Sequence, residues 1–89
     1  MRDISFDPQA LDALEKLVVR EPKLADRLDE ALDWIEEEPV NLRAKRRAFS
    51  DGKFAIVVPF HDEDWLIIWS ENPNDPSSPI VFFIGESFL

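Results

Sequence analysis

The sequence predicts an α+β fold: an N-terminal strand, an antiparallel helical hairpin, then a three- to four-stranded antiparallel sheet. Three observations carry this. Apolar residues recur at spacings of three and four from Leu11 to Val18 and from Leu24 to Ile35, then alternate from Phe54 onward. Pro8, Pro22 and Pro39 punctuate the helical stretches. Asp51-Gly52, between two extended runs, is a tight-hairpin signal. The 89 residues make one domain, 1–89.

Met1 to Phe6 alternates, with Ile4 and Phe6 apolar, and reads as a short half-buried strand. Asp7-Pro8 starts a helix: the carboxylate caps free N–H groups, and proline at the first helical position loses no hydrogen bond. Leu11, Leu14, Leu17 and Val18 form the apolar stripe of that helix, which runs to about Arg20. Glu21-Pro22 interrupts it, because the residue before proline is pushed out of helical geometry. Leu24, Leu28, Ala31, Leu32 and Ile35 form a second stripe, which Glu38-Pro39 ends. Glu36, Glu37 and Glu38 lie at a helix C-terminus, where the macrodipole favours cations, so nearby positive charge is expected.

With Asp51-Gly52 as a two-residue turn, Phe49 is expected opposite Phe54, Arg47 opposite Ile56 and Lys45 opposite Val58. Phe54, Ile56, Val58 and Phe60 then share one face, and Ala55, Val57 and Pro59 the other. His61 to Asp64 reads as a four-residue turn, followed by a strand from Trp65 to Ser70. Glu71 to Pro79 reads as a surface loop, and Ile80 to Ile84 as a last strand. Both faces of the central strands are apolar. One is expected to face the helices. The other needs the tail (Phe88, Leu89), a second copy or another protein to cover it. Val57, Trp65, Ile67, Trp69 and Phe88 are the candidate partner-binding residues.

Nineteen acids against ten bases give a net charge of −9, which disfavours RNA or a ribosome as partner. Five of the ten bases, Arg43, Lys45, Arg46, Arg47 and Lys53, nevertheless sit in one run. They read either as a phosphate contact or as the counter-charge to Glu36–Glu38. The lack of cysteine excludes disulfides and thiolate metal sites and fits a cytoplasmic setting. No run is long enough to span a membrane and no signal-peptide pattern is present, so no membrane association is expected. No metal, cofactor or small-molecule ligand is expected either: His61, with Asp62 and Asp64, reads as an exposed turn. Trp34, Trp65 and Trp69 read as core or interface residues before they read as a base-stacking platform.

The layout resembles the RelE/ParE superfamily of bacterial toxins. The matching stretches are ISFDPQALDALEKL, LADRLDEALDWIEEEP, RRAFSDGKFAIVVPF, DWLIIWSE and IVFFIGE. The resemblance implies a toxin component of a type II toxin–antitoxin system, bound by an antitoxin protein. It also implies metal-independent cleavage of mRNA, with Lys45, Arg46 and Arg47 as the catalytic phosphate binders. The chain departs from the pattern of the family's nucleases. Phe54 to Phe60 contains no arginine, Gly85-Glu86-Ser87-Phe88 stands where His-Arg and an aromatic acid-base are common, and tyrosine is absent. Weak or absent RNA endonuclease activity is therefore expected. The alternative is a non-catalytic protein–protein interaction domain on the same fold, with self-association as one version of it. A third reading is an inhibitor that presents acidic surface to a basic target.

Overall fold

The computed structural model describes residues 4–36, 47–75 and 78–87. The elements are β1 (Ser5–Phe6), α1 (Pro8–Arg20), α2 (Pro22–Glu36), β2 (Arg47–Ala48), β3 (Phe54–Phe60), β4 (Glu63–Ser70) and β5 (Ile80–Glu86). The fold is α+β, with both helices on one face of a sheet ordered β1-β5-β4-β3-β2. The sheet is mixed rather than wholly antiparallel. β1 runs parallel to β5, held by the Ser5 N–H to the Pro79 carbonyl at 2.9 Å and the Asp7 N–H to the Val81 carbonyl at 2.8 Å. A parallel neighbour needs a long crossover, and the helices and intervening strands supply one.

The helix starts follow local chemistry. The Asp7 carboxylate accepts from the Gln9 N–H at 3.0 Å, and Pro8 opens α1. Glu21 ends α1 in non-helical geometry, its N–H donating to the Leu17 carbonyl at 2.8 Å. In α2 the expected stripe is the buried one: Leu24, Leu28, Ala31, Leu32 and Ile35 are all at most 1% exposed. In α1 the buried face is turned from the expected stripe. Ala10 is buried, with Ala13, Leu14 and Leu17 packed against the core, whereas Leu11 and Val18 are exposed. Small alanines let the helix backbone approach the sheet, and α1 packs over β5 and β1 while α2 takes β3.

The β2–β3 hairpin has a three-residue loop, not two. The Phe49 N–H donates to the Lys53 carbonyl, Ala48 pairs with Phe54, and Arg47 pairs with Ala55 where Ile56 was expected. Gly52 alone in this loop has positive φ, at +89°, so one left-handed residue suffices where the two-residue turn needs two. Slipping the register by one exchanges faces. Phe49 accordingly packs with Ala55, Leu66 and Ile68, on the face away from the helices. The next turn is tighter than expected: Phe60 pairs with Glu63, and His61-Asp62 close the loop with His61 at φ +55°.

The sheet carries a buried apolar cluster on each face. Ile56, Val58, Ile67, Trp69, Val81 and Ile84 meet the helices. On the other face Ala55 and Leu66 are wholly buried, with Ile68 beside them, under Phe49, Val57 and Phe83. A β-bulge helps build this cover. Ile68 pairs with Phe83 and Trp69 with Val81, so Phe82 is an extra residue in β5. Gly85 completes it, because a Cβ there would stand 2.6 Å from Phe83 Cζ. The second face therefore does not depend on a second copy to bury its centre.

Gly52 offers a clean test of the loop geometry, since nothing lies within 4 Å of a Cβ added there. Gly52→Ala should lose roughly 1–2 kcal/mol in urea unfolding through backbone strain alone. Gly52→Asn should lose less, because asparagine tolerates the left-handed region.

Candidate functional site

The described candidates, Val57, Trp65, Ile67 and Trp69, do not converge on one surface site. Ile67 and Trp69, expected on a partner face, are 0% and 1% exposed in the helix-side core. Trp69 packs against Phe54 with ring centroids 5.2 Å apart. Trp65 is half-buried on the same face, and its indole N–H is buried without a hydrogen-bond partner among the described residues. Val57 lies on the opposite face, over Leu66. Trp34 packs against the helix-side core, so the three tryptophans form no stacking platform. Lys45, Arg46 and Phe88 lie outside the described residues, as do Arg43 and the pairing expected for Glu36–Glu38. For Arg47 the structure gives only the backbone pairing with Ala55.

Lys53 is the basic side chain described at the sheet, and it is engaged. Its Nζ lies 2.9 Å from Asp51 Oδ2 and 4.9 Å from the centre of the Phe82 ring. The Lys53 backbone N–H donates to Asp51 Oδ1 at 3.2 Å. These bonds hold the Asp51 carboxyl below the ordinary aspartate range, the Lys53 side chain first and its N–H second. The lysine thus staples its own turn. His61 is exposed in the β3–β4 turn, with its ring edge-on to Phe60 at 4.3 Å. Among the described residues no cluster of His, Asp or Glu is suited to hold a metal ion.

Among the described residues, a further surface feature lies on the outer side of the helical hairpin. Leu14 and Val18 of α1, with Pro22, Ala25, Asp26 and Asp29 of α2, line a groove of about 140 Å³. Leu11, Val18 and Val19 are 42%, 57% and 82% exposed, and they are the large apolar side chains left out among the described residues. All three belong to α1. A single exposed valine is unremarkable; of these three only Val18 lines the groove. The groove follows from two local facts. Glu21-Pro22 joins the helices within one residue, which fixes Pro22 and Ala25 against Val18 and Leu14. The rotation of α1 onto its alanines turns Leu11 and Val18 away from the sheet. The sequence carried this signal as a stripe too wide for one face: Leu11, Leu14, Leu17, Val18 and Val19 cannot all meet the core.

Comparison with known proteins finds no matching family model, no matching curated protein and no matching solved structure.

The Asp51 staple has a signed pH dependence. A carboxyl whose folded value is depressed stabilises the folded chain above its ordinary value and loses that contribution as pH falls through the folded value. In an NMR titration the Asp51 carboxyl should titrate below an ordinary aspartate. Lys53→Ala should move its midpoint upward, and an unmoved midpoint would remove the staple.

Proposed function

We propose that this chain is a non-catalytic protein-interaction domain that docks a segment of another protein in the outer groove of its helical hairpin. The observation that carries this reading is the placement of exposed apolar area. Val18 lines a formed groove and Leu11 and Val19 stand exposed on the same helix, while each face of the sheet carries an apolar cluster of the chain's own residues. Burying a leucine or valine fully is worth about 1.5–3 kcal/mol, so covering this stripe gives a partner a substantial apolar contribution. The chemistry of the sheet points the same way. Lys53 is engaged with Asp51, and residues 54–89 contain neither lysine, arginine nor tyrosine to polarise a phosphate or relay a proton.

A RelE/ParE-like toxin of a type II toxin–antitoxin system is the second reading. The order strand, helix, helix, then strands favours it, as does the basic run Arg43 to Arg47 leading into β2. In that reading Lys45, Arg46 and Arg47 bind the mRNA phosphate and an antitoxin covers the chain.

Induced expression in a bacterial host separates the two. The interaction reading expects undiminished growth and intact mRNA on translating ribosomes. Growth arrest that a Lys45→Ala, Arg46→Ala, Arg47→Ala triple variant relieves would overturn it in favour of the toxin.

A further inference from the structure

Among the described residues the hairpin groove is edged by acids, and that charge points to its occupant. At 3.6 residues per turn, Glu15 falls beside Leu11 and Val18, on the groove flank of α1. Lys16 and Arg20 fall on the other flank, beyond Ala13. The same holds for α2. Asp26 and Asp29 line the groove, and Asp33, four residues after Asp29, continues their row. Lys23 and Arg27 stand one turn apart on the flank away from it, with Glu30 beside them. Lys16 is also drawn toward its own helix, with Nζ 2.9 Å from Asp12 Oδ2. The groove thus has an apolar floor of Leu14, Val18, Pro22 and Ala25 between two carboxylate-bearing flanks.

The walls constrain the backbone of whatever lies there. Both are helices, whose main-chain N–H and C=O groups are bonded internally. An extended strand would find no ladder to join. A helix brings its own backbone hydrogen bonds and offers a ridge of side chains to a groove between two helices. A second copy of this chain, with its net charge of −9, would bring like charge to these flanks.

We infer that the groove takes a cationic amphipathic helix of a partner protein. Its aliphatic side chains enter between Val18 and Ala25, and its lysines or arginines face Glu15 and Asp26. This rests on the interaction reading above and adds the chemistry of the partner.

The test uses the full chain and two designed peptides of about five helical turns, one with leucine and lysine faces, the other with glutamate replacing lysine. Each is titrated into the ¹⁵N-labelled chain and followed by NMR. The lysine peptide should shift Leu11, Leu14, Glu15, Val18, Ala25, Asp26 and Asp29, and bind about tenfold more tightly than the glutamate peptide. Glu15→Lys with Asp26→Lys should remove that preference. Val18→Ser, which alters no charge at an exposed position, should weaken the lysine peptide by several-fold. If both peptides bind the groove equally, the cationic helix is wrong and the docking groove stands. If neither shifts these residues, or the shifts spread over the acidic surface and ignore Val18→Ser, both fail.

Discussion

A strand in a small antiparallel sheet usually shows one face to water. In β4 four successive residues, Leu66, Ile67, Ile68 and Trp69, are buried. A chain of 89 residues has little material for two covers. Two helices form one, over Ile67 and Trp69. The other is made from inside the sheet, by Phe49 from the slipped hairpin and by Phe83, which folds across Gly85 beside the bulge at Phe82. The loop glycine, the bulge and the second glycine are therefore parts of one solution: each helps bring an aromatic ring over the otherwise open face. An alanine-sized cover would leave Leu66 and Ile68 in contact with water, at about 25 cal/mol for each square ångström.

The same constraint decides which helix face is left outward. α2 spends its whole apolar stripe on the core, from Leu24 to Ile35. α1 approaches β5 through Ala10 and Ala13, and that close approach leaves Leu11 and Val18 facing outward. The apolar groove on the hairpin is thus a by-product of filling the sheet, with Asp26 and Asp29 in its lining.

Local chemistry was legible in the sequence wherever one residue dictates one geometry. Asp7-Pro8 and Glu21-Pro22 mark the helix boundaries by capping and by proline sterics, and the α2 stripe names its own buried face. What the sequence left ambiguous depends on two-body choices. Asp51-Gly52 suits a loop of two or three residues, and the difference moves Phe49 to the opposite face. The stripe of α1 is wide enough for several rotations, and the sheet selects one by close approach of alanines. The parallel placement of β1 is a matter of topology, which no short pattern in Met1 to Phe6 encodes. The burial of Ile67 and Trp69 was hidden for the same reason. Alternation in β3 and β4 reveals two apolar faces but not that Phe49 and Phe83 cover the second one.

Amide hydrogen exchange, read alongside the mass in solution, tests this account most directly. If the chain fills both faces of its own sheet, the amides of Leu66 to Trp69 should be among its slowest to exchange, in a species with the mass of one chain. Rapid exchange of those amides in the monomer, with protection gained only as copies associate, would contradict it and return the partner surface to the sheet.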